Sequence, residues 1–328
     1  YNSVMEGGKE MKKNILGNTG LEVTELCFGA LPMGPLQKNM DVKECTEVIA
    51  HALKKGINFI DTAQMYRTYD PIREAIKQTG IEPVISTKST ASTYEEMDNA
   101  VKETLEKLDR KYIDIFFLHA ARAETDVFEV RKGALECLLD YKKKGIIKAV
   151  GISTHNVKVV ELAALRDDID VVFPIVNKKG IGILQGTVGE MIEAIKLCNQ
   201  KGKGVMLMKV LGGGIMINEF NESLKFARSI EGYHSIAIGM VSKEEVDFNV
   251  DYFNGLFDEK RTPSLSGYSK RYSVVDVLCK GCRSCVAVCP GMAMEFDEER
   301  KKAYIVQEKC LTCGYCTSAC REFAIRVI

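Results

Sequence analysis

Eight of the chain's 12 cysteines fall in two runs with the same offsets, Cys279-x2-Cys282-x2-Cys285-x3-Cys289-Pro290 and Cys310-x2-Cys313-x2-Cys316-x3-Cys320. Three thiolates crowded into one loop hold three irons of a 4Fe–4S cube, and the fourth cysteine of such a run reaches across to a second cube. On that rule one cluster takes Cys279, Cys282, Cys285 and Cys320, and the other takes Cys310, Cys313, Cys316 and Cys289. Structural zinc pairs two C-x2-C units and has no use for a third and fourth cysteine at these offsets. A disulfide scaffold spreads its cysteines over a short secreted chain, and the leading segment YNSVMEGGKEMKKN has no apolar core of a secretory leader. The other four cysteines, Cys27, Cys45, Cys137 and Cys198, lie scattered in apolar surroundings and read as small core residues.

A second set of reactive types is dispersed: Asp61, Tyr66, Lys88 and His119. Asp61 and His119 end apolar runs, Lys88 directly follows one, and Tyr66 lies five residues past the run that Asp61 ends. A phenol is a poor acid at its ordinary pKa of about 10. A nearby ammonium stabilises the phenolate, a carboxylate holds that ammonium charged and in place, and an imidazole beside the phenol orients a carbonyl or relays a proton. The four make sense together as a device for giving a proton to a carbonyl oxygen.

The elements that must position these residues repeat along the chain. Apolar runs at 23–29, 57–61, 83–87, 112–119, 146–153, 170–176, 204–209 and 235–240 read as strands. They are continuous rather than alternating, as parallel strands buried on both faces are. Helical patterns follow them, among others at Lys43–Lys55, Tyr94–Asp109, Asp126–Lys144, Val188–Gln200 and Lys243–Phe257. Eight strand-then-helix units predict a (β/α)8 TIM barrel, whose reactive residues stand at the C-terminal strand ends. A doubly wound sheet would carry G-x-G-x-x-G after its first strand, and none is there.

Residues 1–14 read as a disordered or vector-derived lead, with Met11 a candidate start. Residues 15–257 form the barrel, 258–275 a polar linker with Pro263 and Gly267, and 276–328 a small α+β iron–sulfur domain. The whole chain balances 45 Lys+Arg against 45 Asp+Glu, with 46% hydrophobic residues. That composition suits a cytoplasmic globular protein and gives no reason to expect nucleic acid or a membrane as partner.

Residues 57–66 (INFIDTAQMY), 84–89 (VISTKS), 113–120 (IDIFFLHA) and 151–156 (GISTHN) resemble the aldo-keto reductase superfamily, across roughly 15–255. The last ~50 residues resemble bacterial-type two-cluster ferredoxins, except that the second run ends Cys320-Arg321 rather than Cys-Pro. The first resemblance implies reversible hydride transfer between a nicotinamide and a carbonyl or alcohol. In it Tyr66 is the general acid, Lys88 and Asp61 tune it, and His119 orients the substrate.

It also implies cofactor contacts. Ser153, with Thr154 or His155, and Asn177 fall where the family holds the carboxamide. Lys209 with Gly212, Gly213 and Gly214 fall where a loop wraps the pyrophosphate. Ser242, Lys243, Glu245 and Asn249 fall at the adenosine end, with NADP favoured over NAD. Phe173 replaces a frequent family Gln, and no aromatic follows strand seven. The chain is therefore expected to be an NAD(P)H-dependent oxidoreductase carrying two 4Fe–4S clusters for electron transfer or structure. Its alternative is an electron-transfer protein, linked to an external ferredoxin or flavoprotein, whose barrel is a scaffold or binds flavin. No motif supports FMN. Exposed clusters of this kind favour an anaerobic or microaerobic host.

Overall fold

The computed structural model describes residues 11–35, 37–214, 216–257, 271–289, 292–307, 310 and 315–328. A hairpin comes first, β1 (Lys13–Ile15) and β2 (Glu22–Thr24), paired antiparallel. Met11 is already buried, so the barrel reaches back four residues ahead of the expected boundary at 15. The expected first strand at 23–29 is divided: its start belongs to this hairpin, and only β3 (Leu26–Gly29) enters the barrel. The division falls at Glu25, buried and held by Arg228 at 3.0 Å and the Tyr233 hydroxyl at 2.5 Å.

After β3 the chain alternates as predicted. The order is α1 (Val42–Lys54), β4 (Phe59–Asp61), α2 (Tyr69–Thr79), β5 (Val84–Ser89), α3 (Tyr94–Leu108) and β6 (Ile113–His119). Then come α4 (Val127–Val130), α5 (Lys132–Lys143), β7 (Ile147–Thr154), α6 (Val157–Ala164), β8 (Val171–Pro174), α7 (Val188–Gln200) and β9 (Gly204–Leu207). The unit closes with α8 (Phe220–Ser229), β10 (Ser235–Gly239) and α9 (Lys243–Phe253). Strands β3 to β10 form a closed barrel in which every pair is parallel, β10 returning to β3.

Helix starts obey their local chemistry. Asp41 caps α1, and Thr93 and Thr187 form capping boxes with Glu96 and Glu190. The helix expected over Asp126–Lys144 breaks at Arg131. Its guanidinium leaves the helical pattern to bond the carbonyls of Ser89, Ala91 and His119.

Inside the barrel Leu16, Cys27, Phe59, Ile115, Phe117, Phe173 and Met206 pack into a core separate from the layer between strands and helices. Cys27, Cys45, Cys137 and Cys198 are all buried, as read from the sequence. No helix among the described residues is long and apolar enough to cross a membrane.

The C-terminal module holds two antiparallel pairs, β11 (Tyr272–Val274) with β14 (Ile325–Val327) and β12 (Met294–Asp297) with β13 (Lys302–Ile305). Two short helices, α10 (Ser284–Ala287) and α11 (Tyr315–Ala319), carry Cys285 and Cys316. The expected linker ran to 275, but Tyr272 is fully buried in the β11–β14 pair, so the module starts earlier. Of that linker, 258–270 lie outside the described residues.

Candidate active site and cluster site

Asp61 ends β4, Lys88 stands next to last in β5, and His119 ends β6, so barrel register alone places three of the tetrad on one rim. The Lys88 ammonium donates to both Asp61 carboxylate oxygens at 2.7 Å and to the Thr62 carbonyl at 2.7 Å. The Ser86 hydroxyl adds a bond to Asp61 at 2.7 Å. Burial pushes the carboxyl up and the ammonium down, and each partner's charge opposes that shift in the other. The short contacts keep this buried pair charged.

Tyr66 arrives from a 3-10 turn after β4 (Gln64–Tyr66). Gly34 passes beneath it so closely that a β-carbon there would lie 2.1 Å from the Tyr66 carbonyl oxygen. The Lys88 ammonium sits 5.0 Å from the Tyr66 ring centroid, and the His119 ring meets the phenol edge-on at 6.0 Å. The four residues are thus brought together.

Burial, then the Asp61 charge, raise the phenol pKa, and the charge of Arg326, from the C-terminal module, acts to lower it. The Lys88 ammonium, 5.0 Å from the same ring, is hydrogen-bonded to Asp61. Burial first, then the charges of Lys88, Lys209 and Arg131, hold His119 well below its ordinary value, so it stands as neutral imidazole with Nδ1 unpartnered.

Phe173, in β8, fills the barrel's upper core, tilted against Phe117 at 5.7 Å and 5.3 Å from the Lys88 ammonium. Ser153, paired in register with His119, is buried with its hydroxyl unpartnered, which suits a carboxamide. His155 is buried beside it with Nδ1 also unpartnered, whereas the Thr154 hydroxyl accepts from the Asn156 amide at 3.2 Å. The Asn177 side-chain amide braces its own loop through both Ile181 backbone groups at 2.9 Å.

Gly212, Gly213 and Gly214 turn with φ of +60°, +73° and +103°, a left-handed path that glycine alone follows without strain. Gly213 has open space where a side chain would stand, so a ligand can approach its backbone. Ser242 caps α9 by accepting from the Glu245 amide, while Glu245 accepts from the Val241 amide at 2.7 Å. Lys243 turns to Glu47 at 3.1 Å. Asn249 is buried with its carbonyl oxygen unpartnered, and the charge of Lys38, which sequence reading did not single out, acts on Glu245.

In the module, Cys279, Cys282, Cys285 and Cys320 line one cavity. Amides of Ala303 and Ala324 point at the sulfurs of Cys279 and Cys320, at 3.5 and 3.3 Å, and that of Ala293 at Cys289, at 3.3 Å. Such bonds favour thiolate and tune a cluster. Among the described residues no group of three or more His, Cys, Asp or Glu closes tightly enough for a single metal ion. Four thiols facing one cavity are the donor set of an iron–sulfur cluster. Cys310 is half-buried and Cys316 buried, whereas Cys313 lies outside the described residues.

The module docks on the barrel mouth. The Phe323 ring fits a notch over Gly182, meets His155 edge-on at 4.9 Å, and lies 4.2 Å beneath the Lys209 ammonium. Glu322 forms an ion pair with Arg122, from the loop after β6. The residues that sequence reading missed are those of this contact, with Arg131 beneath it. Their only signal was an arginine and a phenylalanine in a terminal apolar run.

A closed parallel barrel with a buried lysine–carboxylate pair beneath a phenol is the arrangement of a TIM-barrel oxidoreductase. Residues 25–231 match the aldo/keto reductase family, and the chain belongs to it. Residues 272–321 match a 4Fe-4S dicluster domain. An Arabidopsis thaliana protein named "Probable voltage-gated potassium channel subunit beta" is 26% identical over 249 residues, 69% of this chain and 73% of that protein. Methylglyoxal reductase DkgA of Escherichia coli is 27% identical over 181 residues, 52% of this chain and 64% of that protein. An aldo-keto reductase from Bacillus halodurans, solved in its holo form, superposes with a TM-score of 0.61 at 20% identity, covering 74% of this chain and 90% of its own.

Proposed function

We propose that the barrel is an NADP(H)-dependent oxidoreductase site that interconverts a carbonyl and an alcohol, with Tyr66 as proton donor. We further propose that the module carries two 4Fe–4S clusters on the two cysteine sets given above. The observation that carries the reading is the buried Lys88–Asp61 pair beneath the Tyr66 phenol, with neutral His119 edge-on to it. When bound, the nicotinamide supplies a hydride and the clusters exchange single electrons.

The rest falls to the chain. His119 donates a hydrogen bond that orients the carbonyl oxygen. Tyr66 gives that oxygen its proton. The Lys88–Asp61 pair fixes the phenol's position. Ser153 and the Gly212–Gly214 turn hold the nucleotide, and the docked module covers the mouth against water. The complete tetrad disfavours the electron-transfer-only alternative. The docking of Phe323 beside His155 favours a module that shapes the site, whatever electrons it also exchanges.

Anaerobic NADPH oxidation with a carbonyl panel tests this. Tyr66→Phe is expected to lower turnover about 10²–10⁴-fold while iron content and NADPH binding persist. Wild-type turnover in that variant would refute the proton-donor role. Bleaching of cluster absorbance by NADPH would show that the clusters also draw electrons from the barrel.

A further inference from the structure

Two cations flank the Phe323 ring at the barrel mouth without a carboxylate partner among the described residues. The Lys209 ammonium lies 4.2 Å from the Phe323 ring and the Arg326 guanidinium 5.7 Å from the same ring. Among the described residues neither head group has a hydrogen bond or an ion pair. A third cation, Arg122, is already neutralised by Glu322. Burial, then Arg326 and Arg122, hold the Lys209 ammonium well below its ordinary value, and burial brings Arg326 down to about 10. Both residues are half-buried, and like charges that act on one another are unfavourable unless something of opposite sign joins them. Beside them buried His155, edge-on to the same Phe323 ring, presents an unpartnered Nδ1. Among the described residues no carboxylate pairs with either head group, and the nearest negative charge acting on Arg326 besides the Tyr66 phenol is the Cys320 thiolate, already assigned to a cluster.

We propose that Arg326 and Lys209 seat an oxyanion, carboxylate or phosphate, carried by the carbonyl substrate itself. This rests on the carbonyl-reductase reading above and narrows it: the substrates are oxo acids or phosphorylated carbonyl compounds rather than neutral ones. The placement favours substrate over nucleotide. Arg326 is the cation whose charge acts on the Tyr66 phenol, so the seat adjoins the point where the carbonyl oxygen is protonated. In a nicotinamide nucleotide a ribose separates the ring from its nearest phosphate. A small molecule with its acidic group and its carbonyl close together spans the two positions. The specificity residue is then supplied by the last strand of the iron–sulfur module, not by the barrel.

The test uses the full-length, iron-loaded protein under anaerobic conditions with NADPH. Short oxo acids are compared with their methyl esters, and glyceraldehyde 3-phosphate with glyceraldehyde. The wild type should prefer the acids, and inorganic phosphate should inhibit by competing with substrate and not with NADPH. Arg326→Gln should reduce the acid-to-ester ratio of kcat/KM on the order of 10–100-fold, mainly through KM, and Arg326→Lys should recover part of it. The NADPH Kd, read by fluorescence, separates the two sources of the anion. If Arg326→Gln weakens NADPH binding and leaves the acid-to-ester ratio unmoved, the anion is a nucleotide phosphate and the proposal is wrong. Preference of the wild type for neutral carbonyls, or phosphate that does not compete with substrate, overturns it without any variant. If no carbonyl of either kind turns over, the reductase reading itself fails and this proposal with it.

Discussion

Gly182 offers a way to separate the module from the barrel with one methyl group. A β-carbon at this position would lie 1.5 Å from the Phe323 ring, and φ is +85°. No rotamer of the phenylalanine resolves an overlap of that size while the ring stays in its notch. In Gly182→Ala the ring must leave. Leaving forfeits the burial of a phenylalanine, about 1.5–3 kcal/mol, its edge-on contact with His155, about 0.5–1.5 kcal/mol, and its cation–π contact with Lys209, about 0.5–1 kcal/mol. The docked state is disfavoured by about 2.5–5.5 kcal/mol on that count, a large shift of the docking equilibrium.

Gly56→Ala is the control. Its φ is +92°, and nothing lies within 4 Å of the added carbon, so it carries the backbone penalty alone. Hydrogen exchange read by mass spectrometry over residues 315–328 is the assay. Gly182→Ala should raise exchange there and around His155 while iron content stays at the wild-type level, and Gly56→Ala should leave this segment protected. Unchanged protection of the C-terminal segment in Gly182→Ala would refute the docking argument.

Lys88→Met should lower stability by about 3–5 kcal/mol in thermal unfolding, because it strands the buried Asp61 carboxylate, and the double variant with Asp61→Asn should recover most of that loss without recovering turnover. Because burial raises the Tyr66 pKa, the phenol stays protonated through neutral pH and above. Carbonyl reduction should therefore hold level between about pH 7 and 9, while alcohol oxidation, which needs the phenolate, should rise over the same span. A fall in reduction rate across that interval would mean another acid donates the proton. Cys282→Ala should lose iron relative to wild type in a metal assay, and a full complement would refute its assignment as a ligand.

The barrel was legible because parallel strands buried on both faces must be continuously apolar, and the tetrad because its members stand at or just past the ends of such runs. The parts that were not legible depend on contacts remote in sequence. Nothing local marks Glu25 as the place where the first apolar run divides, since its partners Arg228 and Tyr233 lie some two hundred residues on. Arg131 breaks a good helical pattern in favour of three carbonyls on neighbouring strand ends. Tyr272–Val274 sits in a polar stretch and becomes a strand only because the chain's last residues return to pair with it. Arg326 and Phe323 carry no signal of their own. Only the folded arrangement brings them to the same rim as Tyr66.

The docking of β14 has a consequence for the order of biogenesis. The barrel's strands precede the module in the chain and are synthesised first. The strand that bears Arg326 follows the last cysteine of the second run by only a few residues, and its partner β11 precedes the first cysteine. Both ends of the module must therefore meet before the barrel mouth gains its final residues. On the proposed ligand sets iron joins the two runs, so metal delivery would complete the mouth of a barrel whose strands precede both runs.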